Sequence, residues 1–126
     1  MQDVDKYVTI SQMKDTRRIS WIKAARKEFE EFPEDVQSDM LDALTVAAEG
    51  GKSDKAKRFK GVDGGMFEIA LRYRGDAFRA LYAVKIDTDI WVIHVFQKKS
   101  KSGIKTPQME VDLVRERLKR LKEVLK

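Results

Sequence analysis

The sequence has 126 residues and no cysteine, so it forms no disulfide and offers no thiolate to a metal. That absence fits a reducing compartment. There are two prolines, Pro33 and Pro107, and each stands where a helical pattern begins, not inside one. There is a single histidine, His94. No Cys/His cluster, glycine-rich phosphate loop or Ser-His-Asp set is present, so the residues give no support for a metal or another cofactor. Long apolar runs are missing too. The opening "MQDVDKYVTISQMKDTRR" has no continuous hydrophobic stretch, and nothing further on is long enough to span a bilayer. These absences lead us to expect a soluble, cytoplasmic protein with no membrane partner.

The chain does contain enough apolar residues, 42% of the total, to fill one modest core, and its length suits one domain. We expect an N-terminal extension over 1–17 and a domain over 18–126. The formal net charge of +5 is moderate, but its distribution is uneven. Acidic residues crowd 28–42 ("EFEEFPEDVQSDMLD"). Basic residues gather in 52–60, at Arg72, Arg74 and Arg79, and in 98–105. Lys57, Arg58, Lys60, Arg74, Lys101 and Lys105 are candidate contacts to a polyanion. A solvated lysine-rich surface explains the same charges, and charge alone does not separate the two readings.

The hydrophobic spacing gives the order β-α-α-β-β-β-α, an α+β fold. "RISWI" (18–22) alternates like a short strand. "IKAARKEFEEF" (22–32) and the segment after Pro33, with Val36, Met40, Leu44, Ala47 and Ala48 in step, read as a helical hairpin that ends at Gly50-Gly51. Residues 52–65 read as a basic loop. "MFEIALRY", "AFRALYAVKI" and "DIWVIHVFQ" are strand-like and separated by tight turns. Thr106 and Pro107 read as N-cap and first helical residue. Val111, Val114, Leu118, Leu121 and Leu125 then mark a terminal helix that packs on the chain's own sheet. The expected architecture is an antiparallel meander with helices on one face.

With Gly75-Asp76 as a two-residue turn, Arg72 lies directly opposite Arg79, and Glu68 shares their face. Like charges so placed are destabilising, which points to an anion or Glu68 as the relief. The third strand adds a lysine. A three-residue "DTD" loop, pairing Ile86 with Ile90, brings Lys99 to the arginine face. A two-residue loop, pairing Asp87 with Ile90, brings Lys98 there with His94 and Phe96. Clustered arginines neutralise a phosphate in transit. Like charge around a lysine disfavours its charged form, which suits it to proton transfer. Glu68 is an alternative base for an RNA 2′-hydroxyl. His94, flanked by apolar residues, fits a packed strand position better than a catalytic one.

The segments "ARKEFEEFPEDV" (25–36), "AKRFKGVDGGMFEI" (56–69), "FRALYAV" (78–84) and "HVFQKKSKSGIKTP" (94–107) resemble the HigB-like branch of the RelE/ParE toxin superfamily. These are toxins of bacterial type II toxin–antitoxin pairs, many associated with phages. The resemblance covers roughly residues 18–121. It implies a small antiparallel sheet flanked by helices, and cleavage of mRNA on the ribosome without a metal. It matches Arg79 to the arginine of an Arg-x-x-Tyr strand, and Lys98 and Lys99 to the basic end of the last strand. Ala70 stands where relatives carry arginine, and Arg72, one step along the same face, takes its place. The implied partners are the ribosome, mRNA and a helix-turn-helix antitoxin. Related ParE-like toxins act on DNA gyrase by binding alone. A gyrase inhibitor and a non-catalytic nucleic-acid-binding module are therefore the alternatives to an endoribonuclease.

Overall fold

A computed structural model describes residues 16–62, 65–99 and 105–126. Most of the N-terminal extension (1–15) and Lys101 lie outside the described residues. The elements are β1 (Ile19–Trp21), α1 (Lys23–Glu30), α2 (Glu34–Ala48), β2 (Ala56–Arg58), β3 (Met66–Tyr73), β4 (Asp76–Ala83), β5 (Ile90–Lys98) and α3 (Gln108–Val124). They build one five-stranded sheet in the order β1-β5-β4-β3-β2.

The sheet is mixed, not purely antiparallel, because β1 runs parallel to β5 with Ile19 beside Ile90. It also has one strand more than the sequence pattern gives. Part of the expected basic loop is β2, which pairs antiparallel with β3. Only Ala56 of this strand is buried, so its pattern is too short to stand out, and its charged side chains suit a sheet edge.

The helices lie on both faces of the sheet, not on one. Phe29, Val36, Met40 and Leu44 of α1 and α2 pack on Ile69, Leu71, Phe78, Ala80 and Tyr82. On the opposite face, Val114, Leu118 and Leu121 of α3 meet Met66, Leu81, Ala83, Ile93 and Phe96. Both faces of the central strands are thus apolar over part of their length, and period-two alternation alone does not reveal a second helical cover.

The helix ends follow backbone chemistry. Gly50, at φ +94°, leaves α2 in the left-handed region. Its N–H donates to Ala47 O, and that of Gly51 donates to Val46 O, which closes a Schellman motif. Pro33 and Pro107 sit one position earlier than expected, as N-caps with extended ψ, so Thr106 is not a cap.

The β3–β4 turn lies one residue earlier than expected. Arg74 (φ +51°) and Gly75 (φ +87°) are its central residues, as a type I′ turn with glycine second requires. The pairing therefore shifts by two. Arg72 faces Ala77, Arg79 faces Ala70, and the expected Arg72–Arg79 pair does not form. A shift of two preserves the faces, so both arginines remain on one side.

Neither short loop joins β4 to β5. Residues 84–89 connect the strands, and the register slips at Leu81/Tyr82. Arg17 holds this loop by donating to the carbonyl oxygens of Val84, Thr88 and Asp89. Ser20 Oγ adds a 2.6 Å bond to Asp89 Oδ2. Such long-range bonding is invisible to a local turn rule. The parity that results is that of the two-residue option, with His94, Phe96 and Lys98 facing the arginine side.

Tyr82 is 1% exposed and stacks on Phe67. Burial pushes its phenol up to about 12 from an ordinary value of 10. The folded state therefore holds this proton more tightly than the unfolded chain. Stability from this group is complete below pH 10 and falls as pH rises from 10 towards 12. Denaturant unfolding across that window is expected to show the loss, and Tyr82→Phe is expected to abolish this part of it.

Candidate nucleic-acid interface

Strand register places the candidate residues. Lys57 on β2 is opposite Glu68 on β3, and Arg72 lies four residues along the same face. Arg79 on β4 is opposite Ala70, and Lys98 on β5 is opposite Ala77. Four adjacent strands thus each contribute one cation to one face. The α3 helix covers the Met66–Leu81–Ala83 end of that face. Arg72 lies beyond that end and is exposed, Lys57 is exposed on the edge strand in the Glu68–Leu81 row, and Lys98 is half-buried.

Arg79 and Glu68 are different. They are 6% and 2% exposed. Arg79 Nη1 lies 3.6 Å from Glu68 Oε2. The Thr106 hydroxyl donates to Glu68 Oε2 at 2.6 Å and accepts from Arg79 Nη1 at 3.2 Å. A buried cation is tolerated here because a buried anion accompanies it. Glu68, the sequence candidate for a base, has that oxygen committed to Thr106 in this arrangement.

The other candidates scatter more widely. Lys98 Nζ donates to Lys105 O at 2.6 Å, joining the end of β5 to the approach to α3. Lys99 turns away, with Nζ 3.5 Å from Asp76 Oδ2, and its side chain is 79% exposed. Arg72 Nη1 reaches Gly75 O at 3.2 Å. The Arg74 guanidinium lies over the Tyr73 ring in the hairpin turn. Arg58 is opposite Phe67, on the reverse face from Lys57. Lys60 and Lys105 are exposed outside the strands. A groove of about 410 Å³ lies elsewhere, along Ile22, Leu113, Arg117, Leu121 and Val124, and none of the candidate residues lines it.

His94 is buried, as its apolar neighbours suggest, but it is not idle. Its Nε2 is 2.6 Å from Glu110 Oε1, and Arg117 Nη1 is 3.0 Å from its Nδ1 and from Ile93 O. A guanidinium only donates, so Nδ1 accepts and Nε2 carries the hydrogen that Glu110 receives. Sequence reasoning missed Thr106, Glu110 and Arg117 as members of buried polar clusters. The signal for two of them was present. Glu110, Val114, Arg117 and Leu121 recur at helical spacing, so two polar residues lie on the face that packs inward, where buried polar partners are needed.

The Glu68–Arg79 pair supports a stability prediction. Glu68→Gln leaves the guanidinium buried without a countercharge and is expected to cost about 3–5 kcal/mol in urea unfolding. Glu68→Leu/Arg79→Leu, which removes both charges, is expected to lose less than the single variant. Equal or greater loss in the double variant contradicts a buried, mutually dependent pair.

Comparison with known proteins gives three findings. The family described as "Phage derived protein Gp49-like (DUF891)" matches residues 27–119. The fold matches that of a double arginine-to-alanine variant of the E. coli toxin RelE in the free state, with a TM-score of 0.57 and 20% identity, over 84% of this chain and 98% of that chain. The toxin–antitoxin complex RelBE2 from Mycobacterium tuberculosis matches with a TM-score of 0.45 and 18% identity, over 68% of this chain and 94% of that chain. No curated protein matches the sequence.

Proposed function

This chain belongs to the Gp49-like family of phage-derived proteins, and from that premise we propose that it is the toxin of a type II toxin–antitoxin pair. Its activity is ribosome-dependent endonucleolytic cleavage of mRNA, without a metal, and its neutralising partner is a helix-turn-helix antitoxin. One observation carries the reading: Lys57, Arg72, Arg79 and Lys98, from four neighbouring strands, share one face that α3 leaves partly uncovered. The sheet shared with a free RelE toxin supports the architecture. No helix among the described residues is long and apolar enough to cross a membrane.

In this reaction the RNA 2′-oxygen forms a bond to phosphorus and the bond to the 5′-oxygen breaks. The 2′-hydroxyl proton leaves with a base, and the departing 5′-oxygen receives one. Lys57 and Arg72 hold the backbone, and Arg79 lies beneath them to meet charge that builds on the phosphate. Lys98 is the group on this face suited to proton transfer, whereas Lys99 points towards Asp76. The ribosome supplies alignment of the mRNA, so free RNA is cut poorly. The acidic α2 helix on the reverse side leaves the basic face as the side from which a polyanion approaches.

The test is in vitro translation with primer extension to locate breaks. The wild-type chain is expected to cut mRNA on ribosomes. Lys98→Ala is expected to slow cleavage about 10²–10⁴-fold, and Arg79→Ala to impair it as well. Lys99→Ala is expected to stay near wild type. Growth arrest with intact mRNA overturns the reading. Inhibition of gyrase in a supercoiling assay, without RNA breakage, supports the binding toxin instead.

A further inference from the structure

Thr106 stands between two charged groups that would otherwise meet. A guanidinium and a carboxylate left to themselves form two parallel bonds at about 2.7–2.9 Å. Here the direct separation is 3.6 Å, too long for a hydrogen bond. The Thr106 hydroxyl bonds the carboxylate oxygen nearest Arg79 at 2.6 Å, and takes a single weaker bond from Nη1 at 3.2 Å. Arg79 Nε is buried and has no acceptor among the described residues. The fork of donors is therefore only partly used, and Nε lacks the acceptor that a buried donor demands.

We propose that Thr106 is a positioning residue for anion recognition, its hydroxyl keeping Arg79 from closing a two-bond fork with Glu68 and so holding donors in reserve for a phosphate of single-stranded RNA. This rests on reading the basic face as the RNA-binding surface. Glu68 neutralises Arg79 from a distance, and Thr106 sets that distance. Thr106 also immediately precedes Pro107, the N-cap of α3, so the start of that helix and the attitude of the guanidinium are fixed together.

The experiment uses the full chain and a short fluorescent single-stranded RNA, with affinity measured by anisotropy over a series of salt concentrations. Thr106→Val keeps the side-chain shape and removes the hydroxyl. Glu68 and Arg79 then pair directly, and one cation is lost to the RNA. The slope of log K against log salt is expected to shrink by about 0.7, with affinity about five-fold weaker at 0.1 M salt. Thr106→Ser is expected to restore both. In an Arg79→Lys background, where no fork can form, Thr106→Val is expected to have little further effect. If Thr106→Val lowers the melting temperature but leaves the salt slope intact, the residue is structural and the proposal fails. It also fails if Thr106→Ser is as weak as Thr106→Val. Should the valine variant not fold, Thr106→Ala carries the same comparison. Wild-type binding that is absent or indifferent to salt overturns the RNA-binding reading itself, an outcome distinct from a normal salt slope that Thr106→Val leaves unchanged.

Discussion

Arg79 can be buried only because Glu68 is buried with it, and much of the molecule is arranged around that necessity. The two residues lie on neighbouring strands, one diagonal step apart, so the β3–β4 register must hold them on the same face. Their shared hydrogen-bond partner, Thr106, comes from the approach to α3. The pair therefore also fixes where the last helix leaves the sheet. Lys98 reinforces that exit by bonding Lys105 O. A charged pair in this position contributes little net stability compared with an apolar filling, but removing either member alone is expensive. It serves to specify geometry: it ties strand register, helix start and the cationic face to one another.

Much of this was legible in the sequence, and what was missed has physical reasons. The three long strands, the terminal helix and the glycine stop of α2 follow from period, capping and backbone freedom. The grouping of Arg72, Arg79 and Glu68 on one face followed from alternation, and it survived a wrong turn position because the slip was an even number of residues. The strand β2 was hidden because three residues with one buried side chain carry almost no period. The β4–β5 loop was misjudged because its carbonyls are satisfied by Arg17, 67 to 72 residues away in sequence. Thr106 was read as a cap because a threonine before a proline and a helical pattern is the usual signature of one. Only the tertiary fold shows that its hydroxyl turns to the sheet instead.

The two helical layers do different work. The α1 and α2 helices bury one sheet face under aromatic and aliphatic side chains, with Phe29, Phe32 and Phe78 in ring contact. The α3 helix buries only Val111, Val114, Leu118 and Leu121, and its polar side chains at Glu110 and Arg117 must find partners inside. His94 supplies them by accepting from one and donating to the other. The single histidine thus stitches α3 to β5 at one place, and the Glu68–Thr106–Arg79 cluster stitches the approach to α3 at another. Between them, a helix with a narrow apolar stripe is seated without covering the whole sheet.

That partial cover resolves a conflict between stability and binding. Cations from four strands on one face repel one another, and a second complete helical layer would bury them at a prohibitive desolvation penalty. Leaving the Arg72 end open, with Lys57 on the sheet edge, keeps these two charges in water, where repulsion is weak and screened. Glu34, Asp35, Asp39 and Asp42 lie on α2, in the layer on the reverse face. The molecule is therefore polarised across its sheet, and the field falls most favourably for an anion on the side where the cations are exposed.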